Sequence, residues 1–263
     1  MVKSKNYLGK LKQWRKDKEE EYARTIMMEP EKSTILKRFH VPGVILIMGG
    51  RRGGKTATAH KIGEEIHKHI HIPVMVHLPK NTTEKVQKRI AKMLPSYAEV
   101  TTKKDQWKKH SVVIYDEAAQ TAHARRTQSG EAVELDNLIG ISGQRDQLFI
   151  FICHHSRKLD PNVVREVNHI IWKRPTYAYQ IFERDELSDF TMKAFDYFNV
   201  LRAGKNTDAT KRMLKQHSLV LDFDDFKFYT FMNQLPSYWT EGLSTLFEDI
   251  NTINHGEVNY VRR

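Results

Sequence analysis

An α/β fold, with a mainly parallel sheet flanked on both faces by helices, is what this sequence predicts. Short apolar runs rich in β-branched residues alternate with longer helix-periodic segments, the pattern of repeated strand–helix units. Several of those runs are apolar throughout rather than at every second residue, as strands buried on both faces must be. The first of them, Val44–Met48, is bracketed by Pro42-Gly43 and Gly49-Gly50, residues that punctuate strands.

Taken in order, residues 1–30 read as a charged helical arm. Lys3, Lys5, Lys10, Lys12, Arg15, Lys16 and Lys18 precede Glu19–Glu21. Leu8, Leu11, Trp14 and Tyr22 recur at roughly helical spacing, so the arm is expected to lie on something, and Pro30 ends it. After the Val44–Met48 strand a helix runs to about Lys68, then a second strand over Ile72–His77. The Pro79–Thr82 turn leads into a basic amphipathic helix through Met93. A third strand at Val112–Tyr115, a polar loop and a helix over Glu131–Ile141 come next. A fourth strand, Leu148–Cys153, and a fifth, His169–Lys173, flank a Pro161-led helical turn. From Glu183 the pattern changes to a helix, a polar stretch at Arg202–Lys211, two strands near Ser218–Met232 and a helix from Ser237. The expected division is a basic arm (1–31), an α/β core (32–182) and a small C-terminal appendage packed on that core (183–263).

Composition narrows the function. With 40% hydrophobic and 29% charged residues the chain resembles an ordinary globular protein. No apolar run approaches the length of a membrane span, and no apolar signal core follows the Lys-rich start. A single cysteine, Cys153, excludes an internal disulfide framework and suits a reducing, cytoplasmic setting. A net charge of +11 favours a polyanionic partner, nucleic acid first.

The chemistry is concentrated in two motifs. Gly49-Gly50-Arg51-Arg52-Gly53-Gly54-Lys55-Thr56 is a full phosphate-loop match placed between a buried strand and a helix that continues through Ala57. Glycines let backbone N–H groups converge on phosphates, and the helix N-terminus adds its positive dipole end. Lys55 supplies charge for the β- and γ-phosphates, and the Thr56 hydroxyl is a magnesium ligand. Arg51 and Arg52 either steer phosphate, touch a neighbouring subunit or face solvent. Ser111–Glu117 is the partner motif, an apolar strand delivering Asp116 and Glu117 at its carboxyl end, where ligands of parallel sheets bind. Asp116 would hold magnesium through water, and Glu117 would polarise the attacking water. The expectation is a magnesium-dependent P-loop NTPase of the RecA-like type, with ATP as its nucleotide.

The fourth strand ends in Cys153-His154-His155-Ser156, so His154 should emerge beside the γ-phosphate if this strand lies between the other two. The histidines lack a nearby ligand set, so a metal role is not expected. His67, His69, His71 and His77 read as a surface group.

Phe149–Pro175 resembles the corresponding segment of the FtsK–HerA branch of P-loop ATPases: a strand ending in a polar sensor, an Arg-containing turn, Leu159-Asp160-Pro161, a short helix, and a strand entered through Asn168. The likeness spans roughly Val44 to Arg174. By this resemblance His154 stands in the sensor position, where Gln is usual. Gly143-Gln144-Arg145-Asp146 looks like the turn that offers an arginine finger to the next subunit. Arg165 is the runner-up and Arg157 a weaker third, and an ordinary structural ion pair is the alternative for Arg145. The chain is most similar to compact viral genome-packaging ATPases, including archaeal viral or plasmid types with a Leu-Pro-Ser-aromatic-Trp element, here Leu235–Trp239. Phage-assembly ATPases of the Zot type are a near relative.

The resemblance implies a translocase acting on double-stranded DNA without regard to sequence. It also implies a homo-oligomeric ring, a viral portal, capsid or membrane protein as docking partner, and a host-cytoplasmic or virion-associated location. Arg125, Arg126, Lys103, Lys104, Lys108 and Lys109 are candidate pore-facing cations, or plain solvated charge. The competing readings are a plasmid DNA-transfer ATPase, a large terminase, a non-translocating switch or helicase loader, and a small-molecule kinase. A terminase would need a nuclease domain, for which little chain is expected after Lys173.

Overall fold

The structure is a computed structural model, and it describes residues 3–80, 82–116, 137, 139–159 and 161–244. Glu117, Arg125, Arg126, Asp160 and most of the expected 131–141 helix lie outside the described residues.

Helix α1 (Lys3–Met27) is the basic arm. Strand β1 (Glu31–Lys32) and helix α2 (Ile35–Arg38) lead into β2 (Gly43–Met48) and α3 (Lys55–Ile70). Then come β3 (Val74–His77), α4 (Glu84–Ala91), β4 (Ala98–Thr101), β5 (Ser111–Tyr115) and β6 (Gln147–Cys153). Helix α5 (Pro161–Arg165), β7 (His169–Trp172), α6 (Tyr177–Phe182), α7 (Asp185–Arg202) and α8 (Asp208–Gln216) precede β8 (His217–Asp222) and β9 (Lys227–Met232).

All nine strands form one sheet in the order β1-β9-β8-β7-β2-β6-β5-β3-β4. From β7 to β4 every pairing is parallel, while β8 runs antiparallel to both β7 and β9. The central order β7-β2-β6-β5-β3, with a glycine-rich loop leaving β2, is that of the RecA-like P-loop fold. Residues 183–244, expected as part of an appendage, pack on that core by continuing its sheet through β8 and β9. Helices α2, α6 and α8 and strands β1 and β4 are additional to the sequence expectation. Strand β4 has only four residues, with Glu99 exposed on a sheet edge, so its pattern carries little periodicity.

Side-chain alternation divides the core into two layers. Ile45, Ile47, Val74, Val76, Ile114, Ile150 and Ile152 face α3, whose Ile62 and Ile66 cover them. Leu46, Met48, Val113, Phe149, Phe151 and Trp172 face the other way, against Leu187, Phe190 and Ala194 of α7. Among the arm's described side chains, Tyr22 anchors it to α7 with its ring 5.1 Å from that of Phe190 and its hydroxyl donating to Asp189 at 2.9 Å. Trp14 does not join this contact, being 58% exposed.

His77 departs from the expected surface group. It is buried, stacks on Tyr115 and receives the Trp107 Nε1–H bond at 3.2 Å. Burial, then the charges of Lys104 and Lys80, push its pKa down to about 3, so it stays neutral. The Leu235–Trp239 element is a clamp on α3. Ser237 donates through its backbone N–H (3.1 Å) and hydroxyl to the buried Glu64, and Tyr238 Oη lies 2.9 Å from His60 Nδ1.

Candidate phosphate-binding site

The register of the central strands sets the site. Met48 of β2 pairs with Cys153 of β6, and Tyr115 of β5 with Phe151 of β6. The next residues, Gly49, His154 and Asp116, therefore emerge together at the carboxyl edge of the sheet, with His154 on the intervening strand as expected.

The loop after Met48 needs its glycines. Gly49 has φ +150°, and a Cβ there would stand 2.7 Å from the Lys173 carbonyl oxygen, closer than atoms can pack. Gly54 occupies the left-handed region with φ +86° and caps α3 with no side-chain acceptor at the first turn. The start of α3 thus faces the loop's interior with its dipole's positive end.

Lys55 is buried and its ammonium donates to the carbonyls of Gly49 and Gly50, each at 3.0 Å. His154 Nδ1 lies 3.4 Å from Lys55 Nζ and 3.4 Å from the Gly49 oxygen. Thr56 donates its hydroxyl to Asp116 Oδ2 at 2.7 Å, joining the two motifs directly. Two hard oxygens this close, one anionic, make a donor set that could hold a magnesium ion. Ala57 is buried behind them, and Arg51 and Arg52 are exposed.

Two contributors were not read from the sequence. Tyr179 of α6, 7% exposed, donates its hydroxyl to the Gly49 carbonyl at 2.5 Å, and burial raises its pKa. Beside the loop opens a cleft of about 530 Å³ whose wall carries Arg52, Arg174, Arg202, Lys211, Lys215 and the Tyr177 ring, with no carboxylate on its lining among the described residues. Residues from the segment after β7 and from α6, α7 and α8 meet there only through the fold. A tyrosine soon after Pro175 was the one local hint.

The remaining candidates fall elsewhere. Arg145 precedes β6, at the edge of the sheet opposite the phosphate loop. Its guanidinium donates to Gln147 Oε1 at 2.7 Å and to the Trp107 carbonyl at 2.5 Å, a structural tie between two loops. Arg165 ends α5 and is exposed, and Arg157 lies 3.3 Å from Asp185. Of the loop cations, Lys104, on a 3₁₀ turn, is buried with its charge felt by His77, while Lys103, Lys108 and Lys109 are exposed. Lys108 pairs with Glu99. Among the described residues no helix is long and apolar enough to cross a membrane.

No family model matches the sequence, and no curated protein does. Among solved structures the chain is similar to the DNA-packaging ATPase B204 of Sulfolobus turreted icosahedral virus, at 14% identity and a TM-score of 0.48, over 75% of this chain and 100% of that one. It is similar to the N-terminal domain of zonular occludens toxin from Neisseria meningitidis, at 13% identity and a TM-score of 0.39, over 75% of this chain and 96% of that one. It is also similar to the pCW3 conjugation coupling protein TcpA, at 12% identity and a TM-score of 0.46, over 81% of this chain and 65% of that one.

Proposed function

We propose that this protein is a magnesium-dependent ATPase that moves duplex DNA, in the manner of a viral genome-packaging motor. The observation that carries the reading is the junction of Thr56 with Asp116 beneath a glycine loop, with His154 delivered from the strand between them. A small-molecule kinase shares the loop, but has no need of a second carboxylate, Glu117, next to Asp116 in the sequence to polarise water.

In this reading Lys55 leaves the Gly49 and Gly50 carbonyls and turns to the β- and γ-phosphates. The amides at the start of α3 bind the same oxygens. Magnesium supplies charge neutralisation of those phosphates, and Thr56 and Asp116 would hold it. Glu117 orients and deprotonates the attacking water. His154, one hydrogen-bond length from Lys55, reports whether a γ-phosphate is present. Ribose and base extend into the cationic cleft, where the Tyr177 ring offers a stacking face. In a ring of copies an arginine from the neighbour would stabilise charge on the transferring phosphoryl group. Arg165 is the more available donor, being exposed where Arg145 is committed to Trp107 and Gln147. The net charge of +11 provides the field that draws a polyanion without reading its sequence.

The test is the ATPase rate with and without long duplex DNA, measured alongside mass in solution. Duplex-stimulated hydrolysis by a multimeric species is the expected result. Nucleotide binding with no stimulation, and no DNA binding even at low salt, would replace the motor by a nucleotide switch.

A further inference from the structure

Lys173 is the residue that follows β7, and it is completely buried. Its backbone N–H donates to the Met48 carbonyl at 2.7 Å, which fastens the end of β7 to the end of β2. Its side chain runs beneath the phosphate loop. A Cβ placed on Gly49 would stand 2.8 Å from the Lys173 Cβ, one on Gly53 3.6 Å from it, and one on Gly54 3.8 Å from its Cε. The ammonium ends on β8, donating to Ser218 Oγ at 3.1 Å.

From β8, His217 lies close enough for the Lys173 charge to lower its pKa, and from α8 the backbone of Lys215 abuts Gly54, on which the Lys173 Cε also borders. Among the described residues no carboxylate pairs with it. Burial pushes its pKa down to about 7, and burial followed by the Lys173 charge lowers that of His217. An interior lysine without a counter-ion is costly, and a methionine would pack the same space without that penalty. The anion missing from this arrangement is what a bound triphosphate brings to the other side of the loop.

We propose that Lys173 is a positioning residue whose buried ammonium acts from beneath the glycine loop as a counter-charge to bound nucleotide phosphates, so that nucleotide binding and protonation of Lys173 favour each other. The proposal rests on the nucleotide-binding reading above. The bound phosphates raise the pKa of Lys173 above its value in the free protein. Affinity is therefore full below pH 7 and declines as pH rises through the free and then the bound value.

Titration of a fluorescent ATP analogue with magnesium, from pH 6 to 9, tests this in the full chain. Lys173→Met is expected to melt at or above the wild-type temperature without nucleotide. It should bind the analogue about tenfold or more weakly at pH 6.5, the worth of one nearby charge in a partly screened site. Its affinity should also lack the decline above pH 7 that wild type shows. Ser218→Asp gives a second handle: a carboxylate beside the ammonium keeps it protonated, so the decline moves to higher pH. A folded Lys173→Met protein with wild-type affinity and pH profile overturns the proposal, as does a Ser218→Asp profile that does not move. Wild-type protein that binds no analogue overturns the nucleotide reading itself, which Lys55→Ala in parallel distinguishes.

Discussion

Replacing Tyr179 by phenylalanine removes one oxygen from beneath the phosphate loop and leaves the ring in place. That oxygen donates to the Gly49 carbonyl, which also accepts from Lys55. Without nucleotide the carbonyl keeps the Lys55 ammonium in the variant, so the loss is that of an ordinary hydrogen bond, about 1 kcal/mol. For a chain of this size that lowers the melting temperature by roughly 2–4 °C. With nucleotide, Lys55 turns to the phosphates and Tyr179 becomes the carbonyl's remaining strong donor. Its removal then leaves a buried acceptor unsatisfied, a cost of about 1–3 kcal/mol. The difference between the two states appears as affinity, so Tyr179→Phe should bind a triphosphate analogue roughly 3–10-fold more weakly. Thermal melting of the free protein and a fluorescence titration with magnesium measure the two quantities separately. A lowered melting temperature with unchanged affinity would refute the reasoning, because it would mean that Lys55 does not leave the loop carbonyls on binding.

Lys55→Ala should abolish triphosphate binding or nearly so while the protein still folds, and unchanged binding by titration would remove the phosphate-loop reading. Asp116→Asn should raise the magnesium concentration needed for half-maximal hydrolysis by about 10–100-fold, the usual effect of losing a group that orients a metal's shell. At Glu64, burial by itself would raise the pKa, but donors from Lys61, Ser237 and Lys68 outweigh it and hold the carboxyl down at about 2. Its stabilisation is thus present above pH 4.5 and lost as pH falls through 2, and melting curves of Glu64→Gln should lack that acid decline. Arg145→Ala should lower the melting temperature by several degrees with nucleotide affinity intact, since it unties Trp107 from Gln147. Arg165→Ala should do the reverse, slowing hydrolysis without altering melting, and its activity should recover in part when mixed with Glu117→Gln protein.

The sheet's centre and the loop chemistry were legible because both are local. The apolar runs at Val44–Met48, Val112–Tyr115 and Leu148–Cys153 declare buried strands by composition, and Gly49–Thr56 carries the residue types of a phosphate loop in their required order. Asp116 could be assigned because a strand must deliver it to the same edge. Strand β4 and helix α8 escaped notice since their apolar residues are few and their stability comes from neighbours, β3 for one and Leu214 packing for the other. The arm's helicity could be read, but its anchorage through Tyr22 to Phe190 and Asp189 could not.

By itself, then, the sequence determined an α/β core with a glycine-rich loop leaving its first central strand, and a basic overall field. Those depend on short-range pattern and on sums of charge. Only the tertiary structure decided that residues 217–232 extend the same sheet and that Leu235–Trp239 grips α3. It also decided that Tyr179 and Lys173 support the loop from below, and that Arg145 lies at the far edge, tied to Trp107. Each of these is a meeting of segments far apart along the chain, decided by strand register and by which face of the sheet each helix covers. No local periodicity encodes such a meeting, because the energy that selects it belongs to the packed pair and not to either segment.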